Sequence, residues 1–153
     1  MKLYKFSPIK NYNELVEAIK YVSSKSSKLC EKIIGKKLSI KSLTIFSHYE
    51  NEYENLKNIL SEIGDLYNEN NGPRVKLKEK IVIENNIIEF LRIRKPDPYR
   101  MQVGCNDFEI DNYKEFKEQY LEENNNLKLF IREKYEMIEF FHPDFDVLAY
   151  VVS

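Results

Sequence analysis

Two arginines near the middle of the chain alternate with apolar residues, as side chains do on the two faces of a β-strand. In the segment Leu91-Arg92-Ile93-Arg94, Arg92 and Arg94 would therefore lie on one face. A planar guanidinium donates paired hydrogen bonds to a carboxylate or a phosphate. The pattern predicts a site for an anionic small-molecule ligand. Tyr99, which follows this strand, would either orient that ligand or fill the core.

Asp107 and Glu109 form a second alternating pair. They would project to one side of a strand, whereas Phe108 and Ile110 would project to the covered side. Two neighbouring carboxylates can bind a cation, or act as acid and base once their pKa values are separated. The alternative is a pair of solvated charges on a half-buried strand. We place Asp107 with the ligand-binding residues and Glu109 with the candidate metal ligands.

His48 follows a run in which Leu43 and Ile45 alternate with Thr44 and Phe46. If the leucine and isoleucine face the core, His48 faces the opposite side of the sheet. An imidazole there can bind a metal ion or transfer a proton. The alternative is a partly exposed histidine at the end of a strand, since a helix begins soon afterwards.

The elements that would position these residues begin with a helical segment over residues 11–35. Asn11 and Glu14 have the spacing of a helix N-cap and its partner, and Gly35 is a plausible end. The serine-rich stretch Ser23–Ser27 is expected to interrupt or bend this segment, because serine hydroxyls compete for backbone groups.

The remainder of the chain repeats one order of elements. A strand from Leu43, a helix over 53–63 and strands over 75–83 and 87–94 are followed by a strand over 101–110, a helix from Tyr113 and strands over 127–132, 136–141 and 147–152. The predicted fold class is α+β, with an N-terminal helical cap and two βαβββ-type units that form a curled mixed sheet. We expect a single domain over 1–153, with the cap at 1–40, a first βαββ unit at 41–97 and a second βαβββ unit at 98–153.

Composition and charge exclude several classes of function. A chain of 153 residues with 42% hydrophobic residues can bury one sizeable core. The net charge of −1 makes a dedicated nucleic-acid binder an unfavourable prediction. No apolar run approaches the roughly 20 residues of a membrane span, and we find no signal peptide. Cys30 and Cys105 lack metal or redox spacing, so a cytoplasmic protein with reduced thiols is expected.

The order of elements resembles that of the vicinal oxygen chelate superfamily, which includes glyoxalases, extradiol dioxygenases and bleomycin-resistance proteins. The stretch from Tyr53 to Glu109 looks most like the YecM-like branch. It contains a helix that ends at Gly64, an Asn71-Gly72 turn that leads into Lys76–Ile81, and a Gly104-x-x-x-Phe-Glu-Ile strand. The resemblance implies a concave small-molecule pocket, and such proteins often assemble as homodimers.

The resemblance also implies a metal site. The family draws a His from the first strand of a unit and a Glu from the last, and the Glu position corresponds to Glu139, with Glu89 as its counterpart in the first unit. The family's His positions fall near Ser42 and near Cys105 or Asp107, none of which is a histidine. With His48, Glu109 and Glu139 as the metal set, the implied cofactor is one divalent ion (Zn, Ni, Mn or Fe), or none. The protein would then be a ligand-binding descendant, or a divergent lyase, isomerase or oxygenase.

Two alternatives belong to other classes of protein. The Leu-Arg-Ile-Arg string also resembles triphosphate-tunnel phosphohydrolases of the CYTH type, which hold polyphosphate with basic residues on strands. The other alternative is a non-catalytic interaction module. Residues 1–41 hold ten lysines against three glutamates, and this basic segment could dock on an acidic partner.

Overall fold

The computed structural model describes residues 3–153, which form an α+β structure. Three helices lie within these residues, at Tyr12–Ile34 (α1), Glu50–Ile63 (α2) and Tyr113–Tyr120 (α3). The eight strands are Ile40–Phe46 (β1), Gly64–Asn68 (β2), Arg74–Ile83 (β3), Asn86–Arg94 (β4), Gly104–Phe108 (β5), Leu127–Ile131 (β6), Glu136–Phe140 (β7) and Val147–Val152 (β8). The predicted α+β class with an N-terminal helix is confirmed.

The eight strands form one mixed sheet in the order β2-β3-β4-β1-β5-β8-β7-β6. β1 runs parallel to β4 and antiparallel to β5, and β5 runs parallel to β8. The other neighbours are antiparallel. The sheet is open, with β2 at one edge and β6 at the other. No helix within residues 3–153 combines the length and the apolar composition that a membrane span requires.

One face of the sheet packs against the helices and forms the core. On the central strands this face carries Leu43, Ile45, Leu91 and Ile93, which are all buried. α1 packs on β1, β5 and β8, and α2 packs on β3 and β4. α3 reaches the same face through Phe116, whose ring lies 6.0 Å from that of the buried Phe140 on β7. The expected placement of Leu43 and Ile45 against helices is confirmed.

The ends of α1 follow the signals in the sequence. The Asn11 side chain accepts a hydrogen bond from the Glu14 N–H at 2.9 Å, which satisfies one of the free donors of the first turn. At the other end Gly35 adopts the left-handed conformation, with φ of 79°, where glycine is favoured. The same cap occurs at α3, where Asn112 accepts from the Glu115 N–H.

The interruption expected at Ser23–Ser27 does not occur. α1 continues through this stretch, and three of its serines are buried against the rest of the protein. A Cβ on Gly104 would lie 3.0 Å from Cγ2 of Val22 in α1 and 2.3 Å from the Thr44 carbonyl oxygen. Helix and sheet therefore approach closely, and the absence of a side chain at Gly104 permits that approach. Packing outweighs the weak helix preference of serine here.

β2 is the element that the sequence did not predict. The segment Gly64-Asp-Leu-Tyr-Asn indicated the end of a helix and a loop, so only two strands were expected after the helix in 41–97. In the structure it pairs antiparallel with β3 as an edge strand. Leu66 and Tyr67 are 61% and 62% exposed, so no alternation of burial reveals the strand. Its extended conformation depends on the pairing partner.

Candidate anion-binding face of the sheet

The face of the central strands that points away from the helices, which we call the open face, collects most of the predicted ligand residues. The register places one row of side chains next to each other on this face: Arg74, Arg92, Thr44, Cys105 and Leu148. A neighbouring row contains Phe90, Ser42, Asp107, Tyr150, Glu139 and Lys128. Arg94 lies beside Phe46 at the end of β1. Arg92, Arg94, Asp107 and Glu139 thus share one face.

Long side chains fill the middle of the open face. Thr44 is only 5% exposed and Leu148 only 2% exposed, although the helices pack on the other side of the sheet. The atoms that cover these two residues therefore lie on the open side of the sheet. Arginine stems are suited to this arrangement, because their methylene groups cover apolar surface while the guanidinium keeps its charge.

Arg92 carries a charge that no described carboxylate pairs with directly, although the charge of Asp107 attracts it from a distance. Its Nη2 donates to Oδ1 of Asn68 at 3.2 Å, and within residues 3–153 it forms no salt bridge. Burial lowers the pKa of Arg92, and the positive charge of Arg74 lowers that pKa further. Arginine still remains charged, because its ordinary pKa is above about 12. The pair Arg74 and Arg92 is therefore a concentration of positive charge.

Asp107 is the acidic residue that faces this pair. Its Oδ2 lies 3.6 Å from Nη2 of Arg74, and its side chain is 37% exposed. Burial raises the pKa of Asp107, and the two guanidinium groups of Arg74 and Arg92 oppose that rise. Two strands, β4 and β1, separate Arg74 on β3 from Asp107 on β5. The Arg74 side chain therefore extends across the open face towards Asp107.

Arg94 differs from Arg92 because it has partners of its own. Its Nη2 lies 3.3 Å from Oδ2 of Asp97, and its guanidinium carbon lies 4.0 Å from the centre of the Phe46 ring. An ion pair and a cation–π contact hold this side chain in place. Arg94 is consequently less available to an external anion than Arg92.

The opposite half of the open face is acidic. The Tyr150 hydroxyl donates to Oε2 of Glu139 at 2.8 Å, and among the described residues Glu139 forms no salt bridge. Burial and the neighbouring acidic groups raise the pKa of Tyr150. Burial, followed by the charge of Asp107, raises the pKa of Cys105 to about 12. The Cys105 thiol is therefore protonated at neutral pH and is a poor nucleophile.

Several buried polar atoms on the open face have no partner. The Oγ of Ser42 and the Nε atoms of Arg74 and Arg92 are buried without a hydrogen bond in the part of the chain that the structure describes. Buried polar groups in proteins are almost always paired, with protein, water or ligand. Three unpaired donors on one face of the sheet require a partner with oxygen acceptors, which ordered water or a ligand would supply.

The comparisons with known proteins bear on the fold. No family model matches the chain, and no curated protein matches it. A solved structure described as "Structural Genomics, Protein EC4020" matches 94% of this chain and 92% of its own length, with a TM-score of 0.62 and 12% sequence identity. The two chains share a fold. At this identity the likeness carries no information on activity or ligand.

His48 is not accessible to a ligand on the open face, where the sequence predicted a role in metal binding or proton transfer. The residue is buried beneath the N-terminal segment, where its ring stacks on Tyr4 with centroids 3.9 Å apart. Its Nδ1 lies 2.6 Å from Oγ of Ser7. β1 ends at Phe46, so the alternation of faces does not continue to His48. The alternative of a partly exposed strand-end histidine is wrong, because residues far away in the sequence cover the ring.

The predicted metal set is not brought together. His48 lies under the N-terminal segment, Glu109 is exposed beyond the end of β5, and Glu139 lies on the open face of β7. Within residues 3–153 there is no group of three or more His, Cys, Asp or Glu side chains that could hold a metal ion. Glu89, the other candidate, forms salt bridges with Lys41 at 3.1 Å and with Lys80 at 2.9 Å. These side chains do not fit the divalent ion that the resemblance implies.

The roles predicted for Tyr99 and for the lysines of the N-terminal region remain predictions. Tyr99 is 92% exposed, and its backbone N–H donates to Oδ1 of Asp97. It does not fill the core. Lys28 and Lys32 are exposed on α1, as an interaction module would require.

The sheet is open rather than closed, whereas a triphosphate tunnel encloses its ligand within strands.

Sequence reasoning missed Arg74 and the unpaired hydroxyl of Ser42. A signal for Arg74 was present, because Arg74, Lys76 and Lys78 form a basic alternation on a strand that was expected to form a hairpin with the strand of Arg92. The signal was insufficient, since the register of the hairpin decides whether the two basic rows share a face. Ser42 carried no signal of its own.

The burial of His48 predicts a loss of stability in mild acid. Burial lowers its pKa below the ordinary value of about 6.5, although the charge of Glu52 opposes this shift. As the pH falls below about 6.5, the unfolded chain binds a proton that the folded protein does not. The free energy of unfolding is therefore fully present above this pH and falls below it, by at most about 1.4 kcal/mol per pH unit.

Urea unfolding at about pH 7.5 and about pH 5.5 measures this effect, since the two values bracket the ordinary histidine pKa. The variant His48→Asn should lose this part of the pH dependence. His142 is the matched control, because it is the other histidine of the chain. If His142→Asn removes the same part as His48→Asn, or if neither removes any, the assignment to His48 is wrong.

Proposed function

We propose that this protein binds a small anionic molecule, with a carboxylate or phosphate group, on the open face of its sheet. The observation that carries the proposal is the pair Arg74 and Arg92. The two arginines lie next to each other in the register, Arg92 has no carboxylate partner among the described residues, and the Nε atoms of both are buried and unpaired. An anion beside the pair would accept hydrogen bonds from their guanidinium groups.

Electrostatics support this proposal over a structural role for the pair. Two guanidinium groups repel each other, and their partial burial removes the water that would otherwise screen them. A protein that needed Arg92 only for packing would be at least as stable with an apolar side chain there. A bound anion makes the charged pair more favourable than an apolar replacement, because charge-assisted hydrogen bonds contribute roughly 1.5–3 kcal/mol each.

We further propose that the fold is a duplication of one βαβββ unit. The chain order β1-α2-β2-β3-β4 and the chain order β5-α3-β6-β7-β8 contain the same elements. In the sheet, each set has the spatial order first, fourth, third, second, and the two first strands meet antiparallel at the centre. This symmetry favours a relation to the vicinal oxygen chelate proteins, with the proposed ligand site beside the junction of the two units.

Within that relation we favour ligand binding over metal-dependent catalysis. The side chains expected to hold a metal do not converge among residues 3–153, and the Cys105 thiol has a raised pKa rather than a lowered one. The open face supplies donors that hold and orient an anion. We assign no reaction step to it.

A thermal-shift panel tests the anion site. Sulfate, phosphate and citrate should each raise the melting temperature above that measured in sodium chloride of equal ionic strength. An anion at about 100 times its Kd adds about 2.7 kcal/mol, which is roughly 5–10 °C for a chain of this size. The variant Arg74→Gln should lose most of the shift, because one of the two guanidinium groups is removed.

Arg132→Gln is the matched control for this experiment. Arg132 is exposed and follows β6 at the far edge of the sheet, so it has the same charge without the proposed role. It should keep the full shift. Equal losses in Arg74→Gln and Arg132→Gln would reveal a general effect of net charge and would rule out the site. An absence of any shift beyond sodium chloride would do the same.

A further inference from the structure

We propose that the site selects zwitterionic ligands, in which an ammonium group accompanies the anionic group, and that Asp107 is the residue that receives the ammonium. This inference rests on the proposed anion site and adds the chemical class of its ligand. It follows from Asp107, the carboxylate of the open face that lies next to the arginines, with Oδ2 3.6 Å from Nη2 of Arg74.

Asp107 is positioned to bind a donor from a ligand. Among residues 3–153 its one salt bridge is a long contact, in which Nη2 of Arg74 lies 3.6 Å from Oδ2. Its side chain is 37% exposed, so a ligand can reach it. In the register it lies between Ser42, whose Oγ is buried and unpaired, and Tyr150. The carboxylate therefore has free acceptor positions beside the unpaired donors.

The distribution of charge favours an ammonium group over a neutral donor. Glu139 lies two strands beyond Asp107 in the same row, accepts a hydrogen bond from Tyr150, and has no salt-bridge partner in the described part of the chain. The open face thus has Arg74 and Arg92 on β3 and β4, the acidic residues Asp107 and Glu139 on β5 and β7, and Lys128 beside Glu139 at the far edge. A neutral hydroxyl on a ligand would bring no positive charge to Asp107, whereas an ammonium group would.

The same charges disfavour a simple anion. An anionic group held by Arg92 approaches Asp107, and two negative charges within about 6 Å of each other in a partly desolvated site repel. A ligand that carries its own ammonium group converts this repulsion into attraction. Discrimination between partners is a difference of affinities, and a repulsive residue near the anion is an effective way to produce it.

Two matched pairs of ligands test the inference by isothermal titration calorimetry. The pairs are 4-aminobutanoate with butanoate, and 2-aminoethylphosphonate with ethylphosphonate, which differ only in the amino group. Whether carboxylates, phosphonates or both bind, we expect the amino compound of the pair to bind at least about 10-fold more tightly than its partner without the amino group. One charge-assisted hydrogen bond would provide this difference. In Asp107→Asn the preference should fall below about 3-fold, and the simple anion should bind as well as in the wild type or better.

Glu109→Gln is the control variant, because Glu109 carries the same charge at an exposed position beyond the end of β5. It should keep the preference. If anions bind in an Arg74-dependent manner and the amino group gives no advantage, the zwitterion inference is wrong and the anion site stands. If neither the matched pairs nor sulfate, phosphate and citrate bind, the anion site is wrong and the inference falls with it. Loss of the preference in both Asp107→Asn and Glu109→Gln also overturns the role of Asp107.

Discussion

Replacement of Arg92 by methionine is expected to make the free protein more stable and to weaken its binding of anions. The guanidinium is half-buried beside Arg74 and forms no salt bridge among the described residues. Methionine follows the path of the arginine stem without the charge. Removal of a desolvated charge next to a like charge should raise the free energy of unfolding by about 1 kcal/mol. Loss of its bonds to the anion should reduce affinity by about 10- to 150-fold, the equivalent of 1.5–3 kcal/mol.

Arg94→Met is the matched control, since the two arginines lie two residues apart on the same face of β4. Arg94 has Asp97 at 3.3 Å and the Phe46 ring at 4.0 Å, so its replacement removes favourable contacts. We expect Arg94→Met to lower the free energy of unfolding by about 1 kcal/mol. Urea unfolding and the sulfate-induced shift in melting temperature, measured on both variants, provide the comparison.

Opposite signs of the two stability changes would distinguish a binding residue from a structural one. Proteins keep destabilising groups where ligand binding requires them, because a site prepared for an absent partner is unfavourable until that partner arrives. If Arg92→Met destabilises the protein as much as Arg94→Met and leaves sulfate binding intact, then Arg92 has a structural role and the proposed function loses its main support.

The sequence was sufficient to predict the central strands and the orientation of their faces. Leu91-Arg92-Ile93-Arg94 alternates strictly, and so does the run from Ser42 to Ile45. Burial of one set of side chains places the other set on the opposite face of the sheet, because the side-chain period of a strand is two. The prediction failed for β2, whose exposed residues carry no such pattern.

The position of Arg74 illustrates why the site itself was harder to predict. The β3–β4 hairpin pairs Ile83 with Asn86 and Ile81 with Ile88 next to its turn. Uninterrupted pairing from these contacts would place Arg74 opposite Lys95, and therefore on the other face from Arg92. A register shift between Lys76 and Ile81 instead pairs Arg74 with Arg92. Bulges of this kind redirect side chains near functional sites, and nothing in the local sequence marks this one.

The burial of His48 was not predicted for a different reason: the groups that surround it are distant from it in the sequence. Tyr4 and Ser7 reach it from the N-terminal segment, and Glu52 reaches the same place from α2. Such contacts depend on the path of a segment without regular structure. A pattern of alternation contains no information about that path.

Glu52 is the residue that fixes this segment, and its replacement by alanine should be strongly destabilising. The side chain is only 3% exposed. Its Oε2 accepts the Ile9 N–H at 2.6 Å and its Oε1 accepts the His48 N–H at 2.8 Å. In Glu52→Ala both backbone donors lose their acceptor, at about 1–3 kcal/mol each. We expect the free energy of unfolding to fall by about 2–5 kcal/mol, measured by urea unfolding.

The position of Glu52 in α2 strengthens this expectation. It is the third residue of the helix, where a carboxylate is stabilised by the positive end of the helix dipole and can reach back to a backbone N–H before the first turn. Glu54 is the matched control: its side chain is 59% exposed and pairs with Lys57 at 3.0 Å. Glu54→Ala should change stability by less than about 0.5 kcal/mol. A similarly small change in Glu52→Ala would mean that the two hydrogen bonds of Glu52 do not hold the N-terminal segment in place, and the expectation would be wrong.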